Sequence, residues 1–136
     1  MASIHKEILI DARPEDVWAA IRDYGAVHQR LAPGFVVDAH LDGDDRIVTF
    51  FNGLVARERL ISIDDDARRL AYSAVGGRLA HHNGSIQVID DGEGGSRFRW
   101  TIDLLPNELA DLISAMMDQG AAAAKQTLEL RAIRAS

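Results

Sequence analysis

Gly94–Pro106, GGSRFRWTIDLLP, runs directly into a helical segment from Asn107 to Ile133, and this junction decides the architecture. In the first part Phe98, Trp100, Ile102 and Leu104 alternate with Arg97, Arg99, Thr101 and Asp103, the period of a strand with one apolar face. In the second part Leu109, Leu112, Ile113, Met116, Gly120, Ala123, Ala124 and Thr127 share one stripe, with Asp111, Asp118, Lys125 and Glu129 opposite. A strand whose apolar face meets a long final helix predicts a sheet that encloses space under that helix, with Trp100 on the wall. Gly120 is informative because an internal glycine costs a helix about 1 kcal/mol. It implies either close helix-to-sheet packing or volume left open for a ligand.

Upstream, the chain reads as short strands with turn formers between them. Residues 3–11 carry Ile4, Ile8 and Ile10 at period two, with Lys6 breaking the apolar face. Pro14 suits a first helical turn, Glu15 and Asp16 favour its positive end, and Val17, Trp18 and Ile21 supply a stripe, giving a helix over Pro14–Asp23. A second short helical stretch, Ala26–Leu31, stops at Pro33-Gly34. Strands are expected at about Phe35–Leu41, Arg46–Phe51, Leu54–Ile63, Arg68–Val75, His82–Ile89 and Ser96–Leu104, separated by Asp/Gly/Asn-rich turns. The fold class is therefore α+β, a curved antiparallel sheet of about seven strands around a long C-terminal helix.

Asn52-Gly53 reads as a two-residue type I′ hairpin, because both central residues need positive φ. That register pairs Phe51 with Leu54, Thr49 with Ala56 and Ile47 with Glu58 on one side of the sheet, and Val48 with Arg57 on the other. Glu58 is then expected among apolar neighbours, and Glu58, Tyr72 and His82 share the inward parity of neighbouring strands.

The 136 residues, 47% of them hydrophobic, suit a single domain spanning 1–136. No apolar run approaches the roughly 18 residues that span a bilayer, so no stable membrane insertion and a cytoplasmic location are expected. With no cysteine there is no disulfide framework, thiolate metal cluster or cysteine nucleophile. A net charge of −6 argues against a nucleic-acid partner, and Arg57, Arg59, Arg68 and Arg69 read as a solvated strand face. His81 and His82 are adjacent on a strand and point to opposite faces, so no metal site is expected. His28, His40 and His5 read as exposed or capping residues. Gly92-Glu93-Gly94-Gly95 precedes a strand and reads as a hairpin, so no nucleotide or other cofactor is expected. Ser62, Ser73 and Ser85 lack a strand-to-helix nucleophile elbow.

The order strand, two short helices, six strands, long helix resembles the helix-grip fold of the START-like, or SRPBCC, superfamily. PEDVWAAIRDY (14–24), ARERLISIDDDARRLAYSAVGG (56–77) and RFRWTIDLLP (97–106) carry the resemblance, which points to the polyketide cyclase/dehydrase and lipid-transport branch. The middle segment is also similar to plant abscisic-acid receptors. By that likeness Glu58 matches a pocket glutamate and Gly76-Gly77-Arg78-Leu79 a latch loop, although the latch histidine is absent and Phe51–Leu54 is shorter than a gate loop.

The candidate site is a cavity for a hydrophobic or aromatic small molecule, lipid or polyketide-like. Phe51, Leu60, Ala74, Leu79, Trp100, Ile113, Met116 and Gly120 are expected to bury it, and Glu58, Tyr72 and His82 to orient it. If the protein is an enzyme, a buried carboxylate and an imidazole could exchange protons in a cyclisation or dehydration. Tyr72 would then bond a developing enolate oxygen. A ligand-gated module that regulates a protein partner is a third reading.

Overall fold

The computed structural model describes residues 2–135. One antiparallel sheet is built from β1 (Ala2–Ile10), β2 (Val36–Asp42), β3 (Asp45–Phe50), β4 (Val55–Asp64), β5 (Arg69–Val75), β6 (His81–Asp90) and β7 (Ser96–Leu105). Their spatial order is β1-β7-β6-β5-β4-β3-β2, so the first and last strands lie side by side. Between β1 and β2 come helix α1 (Pro14–Arg22), a 3-10 turn (Tyr24–Ala26) and a π-turn (Val27–Leu31). After β7, a 3-10 turn (Asn107–Leu109) leads into the 26-residue helix α2 (Ala110–Ala135). This is the helix-grip architecture. No helix among the described residues is long and apolar enough to cross a membrane.

The alternation read from the first and last strands holds. Along β7, Phe98, Ile102 and Leu104 are buried while Arg97 and Arg99 are exposed and share Glu7 across the outer face, at 3.2 and 3.1 Å. Inside β1, Lys6 departs from the apolar face because its amine reaches Asp118 on α2, at 3.0 Å. The helix is further tied to the N-terminal end by Lys125, whose Nζ donates to the Leu9 carbonyl at 2.7 Å, and by Glu129, which accepts from the Asp11 amide at 2.8 Å. Arg131 caps carbonyls of the π-turn at Arg30 and Gln29.

The stripe of α2 is rotated relative to its expected position. Met117, Gly120, Ala121, Ala124 and Leu128 are its buried residues, while Ala123 and Thr127 flank them half-buried. Within an alanine-rich run hydrophobicity changes little from face to face, so ring packing sets the rotation. A Cβ on Gly120 would lie 2.9 Å from Phe35 and 3.1 Å from Trp100, so Gly120 is where two aromatic rings meet the helix backbone. Of the two expected explanations for this glycine, close packing applies.

Two buried clusters result. The larger joins Ile10, Val17, Ile21, Leu70, Val88 and Phe98 to Ala124 and Leu128. The smaller joins Ile102, Leu104, Leu109 and Met117, and Trp100 packs against both.

Candidate functional site

Between these clusters the sheet and the first half of α2 stand apart around a cavity of about 360 Å³. Its inner wall is set by the β3–β4 hairpin, which differs from the expected turn. The Phe50 amide donates to Leu54 O at 2.8 Å and the Gly53 amide to Phe50 O at 2.9 Å, so the loop has three residues, Phe51-Asn52-Gly53, with Gly53 at φ +86°. The physical reason lies in Asn52: its Oδ1 accepts the Leu54 amide at 3.1 Å, a bond that competes with the two-residue closure.

One extra loop residue shifts the whole register. Val48 pairs with Ala56 and Arg46 with Glu58, in place of the expected Ile47 opposite Glu58. Arg46 and Val48 therefore share the cavity side with Glu58. Two expected wall residues are corrected by the structure. Phe51 is half exposed and leans on Phe35, with ring centroids 6.0 Å apart, while Phe50 takes the wall position. Leu60 packs into the larger cluster below the cavity, next to a β4 bulge between Leu60 and Ser62. The other expected residues, Glu58, Tyr72, Ala74, Leu79, His82, Trp100, Ile113, Met116 and Gly120, all line the cavity.

Glu58 is not surrounded by apolar groups. Arg46 Nε donates to its Oε1 at 2.8 Å, and both side chains are close to fully buried. The guanidinium lies 3.9 Å above the Tyr24 ring centroid and its Nη1 donates to Tyr24 O at 3.2 Å. Tyr24 in turn donates its hydroxyl to Glu58 O at 3.0 Å. A buried pair of this kind is sustained by such extra bonds, which offset desolvation. Burial pushes the Tyr24 and Tyr72 phenols up, and the Glu58 carboxylate adds to this in both.

Tyr72 is positioned by a glycine that the sequence reading did not single out. Tyr72 pairs with Gly84, where a Cβ would come within 2.6 Å of its ring, so the ring lies across the β6 backbone. Its hydroxyl oxygen accepts from Trp100 Nε1 at 3.0 Å.

His82 sits where β5 and β6 separate. Their ladder ends at Tyr72 and Gly84, and beyond it the Ala74 amide donates to His82 Nδ1 at 3.0 Å, while Ser73 Oγ donates to His82 O. The imidazole thus replaces a strand carbonyl. Burial pulls its pKa below the ordinary histidine value, against the opposing attraction of Glu58. Its neighbour His81 faces outward, bonded to Asn83 at 2.6 Å.

At the mouth stand the exposed Gly76, Gly77 and Arg78, with Leu54, Val55 and Leu112 around them. Of the four arginines expected on a solvated strand face, two are ion-paired: Arg57 contacts Asp42 and Asp45 at 2.6 and 2.8 Å, and Arg59 contacts Asp45 at 3.3 Å. Of the remaining histidines, His5 and His40 are exposed, and His28 lies partly buried within the π-turn, its Nδ1 without a partner among the described residues.

Residues 1–135 match the family model for polyketide cyclase/dehydrase and lipid transport. The chain belongs to this family. No curated protein sequence matches it. Among solved structures, the family fold recurs in the protein XoxI of Bacillus cereus, with 23% identity, 94% of this chain and 96% of that one covered, and a TM-score of 0.85. It recurs in norcoclaurine synthase from Thalictrum flavum in complex with dopamine and hydroxybenzaldehyde, with 17% identity, 99% and 88% coverage and a TM-score of 0.75. The di-domain ARO/CYC BexL is similar at 20% identity over 96% of this chain and 47% of its own length, with a TM-score of 0.78. At these identities the likeness is one of fold.

Proposed function

We propose that this protein binds an apolar or aromatic small molecule between the sheet and α2, held against one polar wall. The observation that carries this reading is the composition of the cavity. Its roughly 360 Å³ are lined by apolar side chains except where Arg46, Glu58, Tyr72 and His82 meet, and at the mouth, where Arg57 and Arg78 stand. A cavity within the usual size range, mostly apolar with a few converging polar groups, is the pattern of small-molecule sites. Family membership supports the same reading, as does the complex of norcoclaurine synthase with two aromatic compounds.

Native mass spectrometry of protein purified from its own host, followed by denaturing extraction, tests it. A retained apolar or aromatic compound is the expected result. Protein that emerges empty, and then binds no member of an apolar aromatic panel in tryptophan-fluorescence titration, would overturn it.

Membership of a cyclase/dehydrase family favours a second reading, cyclisation or dehydration of a polyketone-like substrate. In it Glu58 acts as the base, and Tyr72 and His82 enter as hydrogen-bond donors, because the Nδ1 lone pair of His82 is committed to the Ala74 amide. Turnover that survives Glu58→Gln unchanged would remove that assignment.

A further inference from the structure

We infer that the anchoring group of the ligand is a neutral carbonyl oxygen, received by His82 Nε2–H and the Tyr72 hydroxyl. This rests on the reading above that the cavity holds an apolar small molecule.

The argument starts from backbone accounting. Past Tyr72 and Gly84 the Ala74 amide has no strand carbonyl, and its donation to His82 Nδ1 at 3.0 Å uses that nitrogen's lone pair. A neutral imidazole with an occupied Nδ1 carries its proton on Nε2. Protonating the ring would set an Nδ1–H against the Ala74 N–H, and burial opposes it as well. The Nε2–H is thus left as a donor on a residue that lines the cavity, with no acceptor on any other of the described residues.

Tyr72 presents a second donor. Its oxygen is occupied by Trp100 Nε1 at 3.0 Å, and its own hydrogen has no acceptor among the described residues. The Tyr72 and His82 rings are neighbours, with centroids 5.6 Å apart. Two donors on buried side chains that line the cavity are left open to it, and a carbonyl oxygen with two lone pairs can accept from both.

Charge selects a neutral acceptor over a carboxylate. The only deep cation on this wall among the described residues, Arg46, is neutralised by Glu58 at 2.8 Å and further held by the Tyr24 carbonyl. On this wall a ligand carboxylate would lose its hydration beside the Glu58 carboxylate, and the free guanidinium of Arg78 stands away at the exposed mouth.

Three probes on one frame test this: 2-acetylnaphthalene, 2-ethylnaphthalene and 2-naphthoate, titrated at neutral pH by tryptophan fluorescence. The ketone is expected to bind about tenfold tighter than the hydrocarbon, as two hydrogen bonds allow, with naphthoate weakest. His82→Asn, whose Oδ1 can still accept the Ala74 amide, is expected to narrow the ketone-to-hydrocarbon ratio. Nitrogen-15 NMR of the imidazole should show the proton on Nε2. Equal binding of ketone and hydrocarbon, preference for naphthoate, or a proton on Nδ1 would overturn the carbonyl assignment while leaving apolar binding intact. Failure of all three probes to bind would overturn the carbonyl assignment, and apolar binding as well if the protein also emerges empty from its host.

Discussion

Where Ile10, Val17, Leu70 and Val88 gather with Leu128, side chains fill the space under α2; around Ala74, His82, Ile113 and Met116 they leave a cavity. The interior of the filled end is packed by apolar contact, with polar ties such as Lys125 to the Leu9 carbonyl at its rim. The open end lacks that packing and is held by directional bonds: Arg46 to Glu58, Tyr24 to the Glu58 carbonyl, Trp100 to Tyr72 and Ala74 to His82. The difference shows how one sheet and one helix keep a void without collapsing. Polar groups that must satisfy one another resist rearrangement, whereas aliphatic side chains would close the gap.

The sharpest way to break this comparison is Glu58→Ala, which strands the Arg46 guanidinium in a buried site and should cost about 4 kcal/mol in denaturant unfolding. Replacing both partners by apolar residues of similar volume should cost far less, since no buried charge is left unpaired. A double variant as unstable as Glu58→Ala would mean that this end is not held by the pair.

Leu70→Ala at the filled end should cost about 3 kcal/mol by leaving a cavity. Its effect on ligand affinity should be small, because Leu70 is not on the cavity wall. A large affinity loss at constant fold would show that the two ends are coupled.

Gly84→Ala should cost about 2 kcal/mol, because the added Cβ must displace the Tyr72 ring. Here the affinity loss should exceed that of Leu70→Ala, although the stability loss is smaller. The reverse ranking would separate Tyr72 from binding.

The smallest effect is a pH slope. The folded pKa of His82 lies below its unfolded value near 6.5, so the unfolded chain binds more protons just below that pH. The stability contribution of neutral His82 is present above about 6.5 and is lost as pH falls toward the folded pKa. Chemical denaturation between neutral and mildly acidic pH should show this slope, and His82→Asn should remove its share. An unchanged slope in that variant would place the titration elsewhere.

Strands whose two faces meet different environments were legible in the chain, as β1 and β7 show, because apolar and charged residues alternate there at the strand period. The inward parity of Tyr72 and His82 followed from the same rule. Arg46 was not found, because its side of the sheet depends on whether the Asn52 turn has two residues or three, and the Asn52 side-chain bond to the Leu54 amide decides that. Gly84 did carry a signal, a lone glycine within a strand, which marks close approach of another group. What approaches it, the Tyr72 ring, is visible only once β5 and β6 are paired.

Sequence alone thus determined the α+β class, the order of elements and the presence of a long helix over a sheet, because periodicity and turn residues act locally. Tertiary structure alone decided the Arg46–Glu58 ion pair on the cavity wall, the Ala74 amide bond to His82 Nδ1 and the rotation of α2. Each of these depends on contacts between separate elements, and for Arg46 a one-residue change in register exchanges the buried and exposed faces.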